Sequence, residues 1–339
     1  MRFVAWCCVV FMATCVYHTE AKDVVSNTTT SRYMGSVYKG NYVWGGAMNL
    51  AWTDLCSSIL KAPLKFHTDN TVVLTMERSF NTPVFTKKDL DEKSYYIQSG
   101  YGQKTVDRIN KGTRKKFPKK SIPDLELTLA PTDIIAYAYF LKEVQYLTVF
   151  EKKTVSFNGE KVEGFYAKND GQRDNVTVLF YHSDDKFIVS LQLKDKNDQL
   201  IIAKGYPMVS PDEVLGELTT YSITDAPVLR KTDIFEAPKL HLSMRRIYQE
   251  FIGQIVATKG FESYSISQMF ENIKFDMDEK GARVENEAVI VMIKGMPMQE
   301  KMRKFILNSP YWIIMKRKDS MNPYFLLGVN NTELMMKTK

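Results

Sequence analysis

Cysteine is scarce, and most of it lies where it cannot staple a fold. The 339-residue chain has four cysteines, and Cys7, Cys8 and Cys15 all fall in its first fifteen residues. Past that point only Cys56 is left, which excludes an intrachain disulfide framework and a cysteine-rich metal site. Histidine is equally sparse: beyond residue 21 only His67, His182 and His241 occur, and no pair has metal-ligand spacing. There is no G-x-S-x-G, no H-E-x-x-H and no glycine-rich phosphate loop. These absences argue against an enzyme, a cofactor and a resident metal. No apolar run reaches the about 20 residues that a membrane span needs. The net charge of +7 permits anionic partners without calling for nucleic acid.

An ordinary globular composition remains, 44% apolar and 25% charged, which is enough for a sizeable core. The opening "MRFVAWCCVVFMATCVYHTEA" has Arg2, an apolar run from Phe3 to Tyr17 and then polar residues. It reads as a secretory signal peptide over 1–21, cut near Ala21. Met12-Ala13-Thr14 before Cys15 is a poor match to the alternative, a lipoprotein signal. Residues 22–40 are polar and read as a flexible lead-in to a single domain over 41–339. Sequons stand at Asn27, Asn175 and Asn330, candidate glycosylation sites if the host glycosylates.

Helical spacing of Met48, Ala51, Trp52, Leu55, Cys56, Ile59 and Leu60 predicts a helix over 46–60, with Cys56 as a core thiol. A polar amphipathic helix is expected over 103–117, anchored by Val106, Ile109 and Phe117. From Leu125 alternation and turn signals such as Asn158-Gly159 and Ser183-Asp184-Asp185 predict strands and hairpins. "SPDEVLGELTTY" restarts a helix at Ser210-Pro211, and 243–258 reads as helical again. Strands are expected over 267–278, 305–316 and 323–329. His241 alternates with Leu240 and Leu242 and reads as a strand residue rather than a base. The class is α+β.

Between Lys104 and Lys120 eight basic residues face Asp107 alone. Lys111, Arg114, Lys115, Lys116, Lys119 and Lys120 are therefore candidates for a glycosaminoglycan or other polyanion, with a solvated face as the plainer reading.

The C-terminal third carries a resemblance. "FDMDEKGA" resembles the serpin strand that runs into the reactive-loop hinge. "KFILNSPYWIIMKRKDSMNPYFLLGVNN" resembles the closing strand pair of that family, at Phe305, Pro310, Tyr311, Gly328, Val329 and Asn330, with Asn331 where the family has Pro. "KTVDRINKGTRKKFPKKSIPDLELTLAPTDIIAYAYFLKEV" resembles the helix and central-sheet strand upstream. The resemblance implies a large central sheet, further sheets, surrounding helices and an exposed reactive-centre-like loop over 281–304. It also implies a monomer whose partner is a serine protease, with no nucleic acid bound. The hinge would comprise Glu279, Gly281, Ala282, Val284, Asn286 and Ala288. The scissile bond would lie among Lys294, Gly295, Met296, Pro297 and Met298.

Strand insertion buries alternate side chains. Counting from Gly281, Arg283, Glu285 and Glu287 share one face, while Ala282, Val284, Asn286 and Ala288 share the other. Val284 and Asn286 are larger or more polar than the small residues that fast insertion favours. A non-inhibitory carrier on the same fold stays open beside the inhibitor.

Overall fold

Alternating and continuous apolar runs build most of this chain as β-structure. The computed structural model describes residues 32–120, 122–221, 226–280 and 302–338. In chain order the strands begin with β1 (Ser36–Tyr38) and β2 (Asn41–Gly45), followed by helix α1 (Ala47–Asp54), which widens into a π-type turn over Leu55–Leu60. Helix α2 (Thr71–Asn81) precedes β3 (Tyr95–Tyr101), α3 (Gly102–Lys116) and β4 (Ile134–Phe140). Hairpin β5 (Glu151–Phe157) and β6 (Glu160–Tyr166) leads through the single turn α4 (Asp170–Arg173) to β7 (Val176–Ser183), β8 (Lys186–Leu191) and β9 (Asp198–Lys204). Helix α5 (Asp212–Leu218), β10 (Ile234–Pro238), β11 (Leu240–Ile247) and β12 (Phe270–Met277) come next. Strands β13 (Lys304–Ile306), β14 (Tyr311–Arg317) and β15 (Pro323–Val329) close the order.

The largest sheet has seven strands in the order β1-β2-β15-β14-β9-β8-β7. Its central strands read as unbroken apolar runs because both faces are covered; every residue of β9 and β15 is buried. A four-stranded sheet runs β13-β10-β6-β5, and its β5-β6 turn places Asn158 and Gly159 at φ 48° and 85°, the left-handed pair a tight hairpin requires. Two ribbons, β3-β4 and β11-β12, complete the β-structure, and both rest on α1. A second, smaller core gathers under α1 and α2, where Trp52 stacks on Phe80 at 4.8 Å with Phe66, Tyr248 and Phe251 around them.

Four expectations need correction. The segment 243–258 is not a helix: β11 runs to Ile247 with strict in-out alternation, and turns follow. Met244, Ile247, Tyr248, Phe251 and Ile255 mimic helical spacing because the first two belong to a strand, while Tyr248 and Phe251 anchor a turn region in the second core. Residues 125–130 pair in no ladder, and a turn begins at Pro131. The expected lead-in over 22–40 is ordered in its described part, since β1 joins the large sheet and Tyr33 is buried against Trp44. Asn175 is fully buried, its Nδ2 donating to Thr148 O at 3.4 Å, so the folded chain has no room for a glycan there. Asn330 is exposed, and Asn27 lies outside the described residues.

Candidate functional site

The expected hinge residues Gly281, Ala282, Val284, Asn286 and Ala288, and the expected scissile region Lys294, Gly295, Met296, Pro297 and Met298, lie outside the described residues. The structure instead describes the two places where segment 281–301 leaves and rejoins the body.

The leaving end is β12. It pairs antiparallel with β11 along its whole length, Leu240 opposite Met277 through to Ile247 opposite Phe270. Just past it, Glu279 O accepts from Phe150 N at 2.8 Å, tying the chain to the start of β5. The Glu279 carboxylate is buried, with Lys239 Nζ at 2.9 Å and Lys152 Nζ at 3.4 Å. Burial alone would raise its pKa, but the hydrogen bond and charge of Lys239, joined by Lys152, hold it below the usual carboxylate range. Lys239 also reaches Glu163 at 3.5 Å, so one ammonium links β6, β12 and the start of β11.

The return end is more heavily tied. Arg303 forks onto the buried carboxylate of Asp233, Nε to Oδ1 at 3.1 Å and an Nη to Oδ2 at 2.5 Å. Its guanidinium lies over the Tyr181 and Phe305 rings. Lys304 N donates to Asp184 Oδ1 at 3.0 Å, an oxygen that also accepts from Tyr181 OH at 2.6 Å. Burial and Asp184 push the Tyr181 phenol up to about 12. Strand β13 is short but runs parallel to β10, and Phe305 is fully buried against Phe187. Below it the buried Lys204 Nζ donates to Asp184 O (3.2 Å), Asp185 Oδ1 (3.2 Å), Ile306 O (3.1 Å) and Asn308 Oδ1 (2.7 Å). Its ammonium thus ties the β7-β8 turn to the strand that receives the chain.

On its other side, β12 has no strand neighbour among the described residues, and neither has β4. An unpaired edge of this kind is a template for another strand.

The basic cluster keeps its expected placement. Helix α3 buries Thr105, Val106, Ile109 and Thr113, which turns Lys104, Arg108, Lys111, Arg114 and Lys115 outward as one stripe. Arg114 lies 3.4 Å from Asp124, and Lys120 contacts Glu143. Lys119 and Lys120 share a groove with Lys93 and Lys142, two residues distant in sequence that the reading of the cluster missed. Lys116 is half-buried beside the buried Phe117, which packs on Tyr139 at 5.3 Å. Cys56 is half-buried; its thiol takes a contact from Leu64 N at 3.4 Å, and burial raises its pKa. His241 sits on the outer face of β11 with Asp276 at 2.6 Å, a cross-strand surface pair.

No family model matches the chain, and no curated protein matches it. Solved structures do. Serpin48 of the insect Tenebrio molitor, described as a highly specific serpin, is 12% identical, with a TM-score of 0.50 over 87% of this chain and 92% of that one. Mouse protein-Z dependent protease inhibitor is 15% identical, with a TM-score of 0.51 over 87% of this chain and 91% of that one. The chain is built on the serpin fold. At these identities the likeness is one of architecture.

Proposed function

We propose that this chain is a secreted inhibitor of a serine-type endopeptidase, cut within 281–301 and trapping its attacker as that segment enters beside β12. The carrying observation is the edge of β12, the strand that feeds the segment, which is unpaired among the described residues, as is one edge of β4, with both ribbons resting on α1. The fold shared with a protease inhibitor supports the reading. So does the sequence alternation that collects Arg283, Glu285 and Glu287 on one face. In such a mechanism Gly281, Ala282, Val284, Asn286 and Ala288 act as hinge, and Lys294 to Met298 carry the bait bond. The leader over 1–21 delivers the protein outside the cell, where it works as a monomer.

A second activity is supported by the α3 stripe. Five basic side chains on one helical face, continued by Lys119 and Lys120, offer a linear polyanion a row of charges. If no protease is trapped, this face makes the protein a polyanion-binding carrier.

Incubation with a panel of serine proteases, followed by a denaturing gel, tests inhibition. A band at the summed mass of chain and protease is the expected result. Complete cleavage without such a band, across trypsin-, chymotrypsin- and elastase-like enzymes, overturns it.

A further inference from the structure

Strand β12 carries an acid on its inward face. Four side chains point into the molecule, and Ile273, Phe275 and Met277 are apolar as an inward face demands. The fourth is Glu271, only 6% exposed. Its Oε2 accepts from Tyr248 OH at 3.2 Å. Its Oε1 is buried and has no well-formed hydrogen bond from a described residue. It lies where the chain passes from β2 into α1: a Cβ on Gly45 would come within 3.3 Å of Oε1. The carboxyl is therefore wedged under the start of α1 by a glycine that leaves space for it.

The surroundings do not supply a full counter-charge. Arg246 stands opposite Glu271 in the β11-β12 register, but its guanidinium donates to Met34 O at 2.7 Å and lies over the Tyr248 ring at 4.0 Å. From α1 come the backbone amides of Ala47 and Met48, which are directed at the carboxyl and favour the anion, and the first turn has no acidic residue. Glu250 bears on the neighbouring Tyr248 phenol. A buried carboxylate with so little well-formed support is costly, whereas a neutral acid in the same place keeps the Tyr248 bond at much smaller cost.

We propose that Glu271 is a proton-operated latch: protonated, it seats β12 on the start of α1, and ionised, it loosens the β11-β12 ribbon from its support. Burial raises the carboxyl from 4.5 to about 7, despite Arg246 and the two amides. Because the folded value lies above the unfolded one, the stabilisation is complete below about pH 4.5 and is lost as pH rises through about 7. The latch loosens the strand that leads into 281–301, and it holds whether or not the chain inhibits a protease.

Denaturant unfolding of the full chain at pH 5.5 and pH 8.5 is the first test. From these two values, the contribution of Glu271 to the unfolding constant rises roughly 30-fold across that interval. Glu271→Gln, which is neutral at both, should lack that rise. Equal pH responses in the wild type and Glu271→Gln overturn the proposal. Should Glu271→Gln fail to fold, the wild type still decides: hydrogen exchange, corrected for its intrinsic pH dependence, should show β12 amides losing protection at pH 8.5 while β9 and β14 keep theirs. Equal protection of β12 at both values overturns the latch.

Discussion

Lys239 is one side chain holding three pieces of chain. Its carboxylate partner Glu279 sits at the mouth of the segment that would be cut, buried and within reach, among the described residues, of one further ammonium, Lys152. Replacing Lys239 by Met should cost about 2 kcal/mol by denaturant unfolding, below the full range for a broken buried pair because Lys152 remains. The pH signature follows from the direction of the shift. The pKa of Glu279 is depressed in the fold, so its stabilisation is present above pH 4.5 and disappears as pH falls through the lower folded value. Lys239→Met should therefore narrow its gap to wild type in acid, which pH-resolved melting will show. Lys204 is the matching case at the return end. Lys204→Met leaves four acceptors around a missing ammonium and should cost about 3 kcal/mol. Neither lysine was legible in the sequence as a functional residue. Each is a lone cation in a mostly apolar strand context, and its partners lie from 19 to 104 positions away.

Elements were read well where local signals agreed. Helix α3 and hairpin β5-β6 matched because amphipathic spacing and an Asn-Gly turn act over a few residues. Helix α2 went unread although Asn70 caps it, its Oδ1 accepting from Val72 N at 2.9 Å and Val73 N at 3.4 Å. The α3 stripe makes an element-scale prediction. Neutral replacement of Lys111, Arg114, Lys115, Lys119 and Lys120 should sharply reduce retention on a heparin column. Wild-type retention should fade with salt, since exposed charges are screened over about 8 Å at physiological ionic strength. Identical elution of the mutant would leave the stripe as a solvated face. The unpaired edge of β12 makes another. Under the proposed insertion, Val284→Glu would put a charge on the face that becomes buried, whereas Glu285→Ala alters the opposite face. Cleavage in the segment should raise the thermal midpoint of the wild type and of Glu285→Ala, and leave that of Val284→Glu nearly unchanged. A wild type that gains nothing on cleavage does not insert its segment.

At the scale of the molecule, the resemblance at the C-terminal end pointed to the right fold, but it did not show how the sheets are assembled. The large sheet joins the two ends of the chain: β15 lies between β14 and β2, with Phe325 opposite Gly45 and Gly328 opposite Tyr42. No local pattern reports a partnership across that separation. It also sets an order for biosynthesis. A ribosome that has released β2 and its first partner β1 must make some 280 further residues before the second partner, β15, emerges, so β2 waits with one open edge through most of translation. Contacts of such long range are slow to form and leave partly made chains open to aggregation. Nascent chains stalled before Tyr311 should therefore stay sensitive to proteolysis around 41–45 and bind chaperones, and protection there should appear only when stalling is moved past Val329.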